Sequence, residues 1–210
     1  MENCRKILQQ GIQALNIEAT DDQVELLLAF IKLMEKWNKA YNLTAVRNRE
    51  DMVRLHILDS LSILPFVEGK QVADIGTGAG LPGIPLAIFL PDVEFTLVDS
   101  NSKKTRFVQQ AILELKLKNV KVMHSRVEKV EPEAPFSMVM MRAFASLPDI
   151  MQLTSHLIDE KGVLLAMKGQ RPDDEELLAI KQPYEIISVH VPGIEAERCL
   201  IKIEGVPANG

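Results

Sequence analysis

The sequence predicts an α/β fold: a seven-stranded, Rossmann-like, mostly parallel sheet covered on both faces, with an N-terminal helical extension. Three observations lead there. From about residue 70 onward, short apolar runs alternate with amphipathic stretches, the strand–helix–strand texture of a parallel sheet. The run Val72-Ala-Asp-Ile-Gly-Thr-Gly-Ala-Gly-Leu-Pro-Gly-Ile-Pro-Leu86, followed by Phe95-Thr-Leu-Val-Asp-Ser100, reads as strand, glycine loop, helix, strand and acidic residue. Residues 1–66 instead repeat apolar side chains at helical spacing. The expected organisation is a helical segment over 1–66 packed on a ligand-binding domain over 67–210.

In the first segment an amphipathic helix passes through Ile7, Leu8, Ile12 and Leu15. Thr20-Asp-Asp-Gln23 is a capping box, and Val24, Leu27, Leu28, Ile31 and Met34 follow it, predicting a helix over 21–38. A polar loop over 38–48 leads to a third helix over 49–64, ended by Pro65. Strands are expected near 70–75, 93–99, 120–125, 136–141, 162–168, 184–191 and 197–204, and helices near 82–90, 102–116, 146–156 and 173–180. Pro82 and Pro85 suit the first turn of a helix and Pro91 its end. The short Pro-Gly-containing link between the last two strands predicts an antiparallel hairpin.

The glycine loop also bears on the ligand. Gly76, Gly78 and Gly80 allow a tight turn and close approach of the backbone, and Asp99, about 20 residues on, can accept hydrogen bonds from ribose hydroxyls. A dinucleotide's pyrophosphate prefers G-x-G-x-x-G and a helix N-terminus free of anions. Here the spacing is G-x-G-x-G, Leu81 occupies the third dinucleotide glycine position, and Asp74 precedes the loop. An acid at that strand end is poor for phosphate and good for a cation. S-adenosylmethionine has no phosphate and carries a sulfonium and an ammonium, so Asp74, the three glycines and Asp99 favour it over a nicotinamide or flavin cofactor.

Composition narrows the class further. No apolar run reaches the length of a membrane helix and the first residues lack a signal-peptide core, so a cytosolic location without a membrane partner is expected. Cys4 and Cys199 are isolated, without metal or redox spacing; reduced thiols and no metal are expected. A net charge of −5 argues against a protein that coats nucleic acid by bulk electrostatics. A local patch stays open: Lys103, Lys104, Arg106, Lys116, Lys118 and Lys121 stand with a single acid, Glu114, as either a solvated helix face or an RNA-facing one.

Ligands of such sheets bind beyond the carboxyl ends of the strands. There the sequence places Arg126, Arg142 and Lys168, a basic rim suited to an anionic or electron-rich substrate. Adenine and cytosine amino-methyltransferases typically carry Asn or Asp before Pro-Pro-aromatic after the fourth strand, and Arg142-Ala-Phe-Ala145 stands there instead. Carbon-5 cytosine chemistry needs a cysteine nucleophile at that edge, and neither cysteine is placed for it. DNA is not an expected partner. Guanine N7 has a free lone pair and no proton to lose, so its methylation requires positioning rather than a general base.

With these residues in view, the chain resembles the bacterial 16S ribosomal RNA guanine-N7 methyltransferase family, also called glucose-inhibited division protein B. The resemblance runs from about Lys36 to Ile203. It is carried by Trp37-Asn-Lys-Ala-Tyr-Asn-Leu-Thr44, His56-Ile-Leu-Asp-Ser60, Asp74 through Pro85, Leu97-Val-Asp-Ser100, Ser125-Arg-Val-Glu128, Arg142-Ala-Phe-Ala-Ser146, Lys168-Gly169 and Glu197-Arg198. It implies a class I methyltransferase sheet, S-adenosylmethionine as cofactor, and methylation of one guanine in the decoding-region loop of 16S rRNA in the small ribosomal subunit. The resemblance further implies cofactor contacts by Gly76, Leu81, Val127, Glu128 and Arg142, and handling of RNA or the target guanine by Arg126, Arg142, Lys168 and Arg198. Met141 and Cys199 depart from the residues common in relatives at those places, a small polar residue and a histidine.

Some residues keep two readings. His56, Asp59 and Ser60, three and four apart on a predicted helix, read as a face hydrogen-bonded to the glycine loop or as a catalytic set. Trp37 reads as a buried anchor between helices and sheet, or with Tyr41 as a base-stacking platform. Asn42 either caps structure or reaches substrate. The sequence declares no oligomeric state.

Overall fold

The computed structural model describes residues 1–142 and 145–206; Ala143 and Phe144, within the expected Arg142–Ser146 segment, lie outside them. Seven strands form one sheet in the order β3-β2-β1-β4-β5-β7-β6: β1 Gln71–Ile75, β2 Glu94–Asp99, β3 Val120–His124, β4 Phe136–Arg142, β5 Ile158–Lys168, β6 Tyr184–Val189 and β7 Arg198–Glu204. β1 to β5 are mutually parallel. The predicted terminal hairpin is present, and β7 inserts antiparallel between β5 and β6.

Alternation along the strands divides the core. Val72, Leu97, Met138 and Met140 point to one face, under α5 (Gly83–Phe89) and α6 (Ser102–Glu114). Ala73, Val98 and Val139 point to the other, under α7 (Leu147–Thr154) and α8 (Asp174–Leu178). Because strand side chains alternate faces and both faces are covered, the runs are apolar throughout.

The N-terminal helices α1 (Glu2–Ala14) and α2 (Asp21–Tyr41) join the first core through Leu8, Leu27, Phe30 and Met34. The capping box forms as predicted: Gln23 N–H donates to Thr20 Oγ1 and Thr20 N–H to Gln23 Oε1. α2 runs a turn beyond the expected end at 38. Asn38 stays helical and buried because its side chain ties down the loop that follows, donating to Val46 O and accepting from Thr44 N–H. Trp37 packs edge-on against Phe107 of α6, ring centroids 5.8 Å apart. Its anchor is thus a helix lying over the sheet, not the sheet itself, because α5 and α6 intervene between α2 and the strands.

Two elements differ from expectation. The helix over 49–64 is three pieces: α3 Arg49–Met52, a π-helical turn Val53–Leu58 and α4 Asp59–Leu61, before a 3₁₀ turn at Leu64–Phe66. β5 begins at Ile158 rather than 162. Asp159-Glu-Lys-Gly162 resembles a turn by composition, yet its charged side chains stay exposed while the backbone runs extended beside Phe136, with a register shift before Met138. No described helix is long and apolar enough to cross a membrane.

Candidate functional site: a cofactor cleft and a cationic pocket

Asp74, near the carboxyl end of β1, is 1% exposed. Its Oδ2 accepts from Thr77 Oγ1 at 2.8 Å and from Gly83 N–H at 2.9 Å, so one carboxylate oxygen pins the glycine loop at both ends. Burial pushes its pKa up to about 7, against the opposing pull of Thr77, the Gly83 amide and Arg142. The sequence argument placed this acid beside a ligand's cation; the structure gives Oδ2 to the loop, and Thr77 is a partner that the glycine pattern did not reveal.

Gly76 (φ +68°) and Gly78 (φ +60°) are left-handed, and a Cβ added at either meets nothing within 4 Å. These two glycines hold the loop away from other protein atoms, leaving a backbone cradle that side chains would fill. Gly80 and Leu81 complete the turn by donating their N–H groups to Thr77 O, and Leu81 is buried in the first core. Asp99 closes the cradle: its Oδ2 accepts from Gly78 N–H at 2.8 Å and its Oδ1 from Asn101 N–H at 2.8 Å.

Beside this cradle lies a cleft of about 340 Å³, lined among others by Gly76, Asp99, Arg126, Val127, Glu128 and Met141. These residues fit S-adenosylmethionine. The cleft has a carboxylate at the end of β2, an open glycine backbone, and the acids Asp99 and Glu128 against one cation, a balance that suits a positively charged ligand without phosphates. Arg126 therefore lies apart from the expected basic rim. It follows β3, separated from β4 by β2 and β1, and falls on the cofactor side.

The other three cations do meet. Arg142, Lys168 and Arg198 line one pocket with Asp59, Ser60 and Pro82, because β4, β5 and β7 are neighbours. Their side chains are not equivalent. Lys168 Nζ donates to Glu176 Oε1 at 2.6 Å, in an ion pair 14% and 15% exposed. The same oxygen accepts from Leu147 N–H, so Lys168 ties β5 to α7 and α8. Arg198 Nε donates to Asp59 Oδ1 at 2.8 Å, tying β7 to the N-terminal helices. The Arg142 side chain makes no hydrogen bond or ion pair with any described residue. The described residues enclose about 30 Å³, room for one water rather than a base. Met141 and Arg142, consecutive on β4, face the cofactor cleft and the cationic pocket respectively, as strand alternation requires.

His56, Asp59 and Ser60 do not bond to the glycine loop. His56 Nε2 lies 2.8 Å from Thr44 Oγ1, Asp59 holds Arg198, and Ser60 Oγ donates to His56 O. The π-helical winding of Val53–Leu58 changes the phase of this face, so the even three-and-four spacing did not hold. Burial, then the nearby Arg142, lowers the pKa of His56, and its Nδ1 has no partner among the described residues. Asn42 is the left-handed C-cap of α2 (φ +50°), with Oδ1 accepting from Arg47 at 2.7 Å, outside both cavities. Glu176 and the role of Asp59 were missed by sequence reasoning, because their partners are set by tertiary register.

Solved structures resemble this arrangement. A SAM dependent methyltransferase from Aquifex aeolicus aligns with TM-score 0.56 at 17% identity, over 74% of this chain and 93% of that one. M. jannaschii TYW2 in complex with AdoMet aligns with TM-score 0.56 at 18% identity, over 70% of this chain and 74% of that one. At such identities they establish the fold. Sequence relatives are much nearer. Ribosomal RNA small subunit methyltransferase G of Psychromonas ingrahamii is 48% identical over 208 residues, spanning 98% of this chain and 99% of that protein. The protein of the same name from Pseudomonas syringae pv. syringae is 50% identical over 197 residues, spanning 92% of each. The family model for rRNA small subunit methyltransferase G, GidB, matches residues 23–198. With the seven-stranded sheet, the glycine cradle and near-full-length relatives in agreement, the chain belongs to the GidB family of small-subunit ribosomal RNA methyltransferases.

Proposed function

We propose that this chain transfers a methyl group from S-adenosylmethionine to N7 of one guanine in the decoding-region loop of 16S rRNA. The observation that carries the reading is the end of β4, where consecutive residues face an acid-lined cofactor cleft on one side and a cationic pocket on the other. When bound, S-adenosylmethionine supplies an electrophilic methyl on its sulfonium. Asp99 would hold the ribose, the Gly76–Gly80 backbone the methionine part, and Val127 and Glu128 the adenine. Arg142 is the group left to touch the base, donating to guanine O6 while N7 remains bare for attack. Lys168 and Arg198 act one step back, holding α7, α8 and the N-terminal helices around that arginine. Arg126 lies nearer the cofactor, and Asn42, the C-cap of α2, shapes the end of that helix rather than either cavity.

The reading is tested by turnover under varied salt. Small ribosomal subunits lacking the modification should accept methyl groups over many cycles per enzyme, with kcat/KM falling steeply as salt screens phosphate contacts. Transfer that stops at one equivalent, or salt-insensitive transfer to a small acceptor, contradicts it.

A further inference from the structure

We infer that the end of α2 and the start of α6 form one docking surface for an RNA strand beside the transfer site, with Tyr41 stacking on a base and Lys39, Lys103 and Lys104 contacting phosphates. The inference rests on the RNA reading above and specifies where that RNA lies.

Two of this acidic chain's stretches without Asp or Glu bear on the site. Residues 36–49 carry Lys36, Lys39, Arg47 and Arg49, and residues 100–113 carry Lys103, Lys104 and Arg106. They are far apart in sequence, and the fold joins them: Phe107 of α6 packs between Phe30 and Trp37 of α2, with ring centroids 6.0 and 5.8 Å away. Lys103 and Lys104 lie one turn before Phe107, on its side of the helix. Gln23, at the start of α2, donates to Ile88 O at the far end of α5. α2 therefore climbs toward the carboxyl edge of the sheet and delivers Tyr41 there. α6 starts at that same edge, directly after Asp99.

The individual groups are those single-stranded RNA requires. Tyr41 is 42% exposed and backed by Trp37, ring centroids 5.2 Å apart, an aromatic platform on which a base can stack. Arg49 is committed to Glu35, and Arg47 bonds Asn38 O and Asn42 Oδ1. Lys39, Lys103 and Lys104 have no ion pair among the described residues.

Fold stability does not explain the lysines of α6. They occupy the first turn, where the helix macrodipole disfavours cations, and Asn101 already caps both of their N–H groups. An external polyanion accounts for charges placed against that preference. The remaining lysines of the basic run, Lys116, Lys118 and Lys121, follow the other end of this 13-residue helix, about 20 Å away. The run is thus two surfaces, and only the first adjoins the site.

The test uses the full chain and compares the double variant Lys103→Glu/Lys104→Glu with Lys118→Glu/Lys121→Glu. Affinity for fluorescent small-subunit RNA, KM and kcat on subunits, S-adenosylmethionine affinity and Tm are measured for each. The first variant should lose about tenfold or more in RNA affinity and flatten the log–log salt slope by about 2. Its KM should rise with kcat at saturating subunit and cofactor affinity within about twofold of the parent, and its Tm unchanged or higher. The second should bind RNA like the parent. Tyr41→Phe should keep RNA affinity and Tyr41→Ala lose it. Parent-like RNA binding by Lys103→Glu/Lys104→Glu, or an equal loss in Lys118→Glu/Lys121→Glu, overturns the surface while leaving the RNA reading intact. A parent that neither binds nor methylates small-subunit RNA overturns both.

Discussion

Arg142→Ala is expected to lower kcat/KM for methyl transfer about 100-fold or more while the protein keeps its Tm. Lys168 and Arg198 already have carboxylate partners within the fold, at 2.6 and 2.8 Å, so replacing them disturbs structure before chemistry. Arg142 has no such partner among the described residues, and its neighbours feel it through space: burial lowers the pKa of His56 and raises that of Asp74, and the Arg142 charge pulls downward on both. A cation held at a strand end with no counter-ion among the described residues is preorganised for a group that arrives from outside. Removing one preorganised donor of this kind costs roughly 10²–10³ in rate. Arg142→Lys keeps the charge but loses the planar fork and should recover only part of the activity. Activity within about threefold of the parent in Arg142→Ala, at unchanged Tm, would remove the arginine from the reaction.

The second large effect is on the glycine loop. In Asp74→Ala the buried Gly83 N–H and Thr77 hydroxyl both lose their acceptor, at a cost of about 1–3 kcal/mol each, and cofactor binding should fail with the loop. Asn can accept the same two bonds, so Asp74→Asn should fold and bind cofactor. Were the Asp74 charge itself the group that holds the cofactor, Asn would lose affinity as fully as Ala. The pH dependence separates the parent from Asp74→Asn. The folded-state pKa of about 7 lies above the ordinary 3.8, so the native state retains a proton that the unfolded chain releases. That contribution is fully present below about pH 4 and is lost as pH rises to about 7, on the order of 4 kcal/mol across the window. Urea unfolding of the parent should therefore weaken over this range relative to Asp74→Asn, which has no such proton. Parallel stability curves would contradict the buried, protonated carboxyl.

What the sequence revealed and what it concealed follow from the range of the interactions. The strands of the parallel sheet were legible because each is an apolar run bounded by turn residues, and the glycine cradle because its three glycines and two aspartates lie within one β-α-β unit. The Thr20–Gln23 cap was legible for the same local reason. The bond from Arg198 to Asp59 spans 139 residues, and nothing in either neighbourhood specifies it. Lys168 looked like a free cation until α8 brought Glu176 to it. The π-helical turn at Val53–Leu58 was hidden because its side chains fit an α-helical pattern equally well. Arg126 was grouped with Arg142 because both follow strands; only the strand order, which places β2 and β1 between them, separates them. The joining of the two acid-free stretches through Trp37 and Phe107 is again a tertiary fact, invisible while each stretch is read alone.

The most direct measurement is transfer of labelled methyl from S-adenosylmethionine to small ribosomal subunits lacking the modification, followed by nuclease digestion and mass analysis of the labelled base. A single 7-methylguanine in the decoding-region loop of 16S rRNA is the predicted result. A labelled base other than guanine, methylation at another atom, or no transfer by an enzyme shown to bind the cofactor would contradict it.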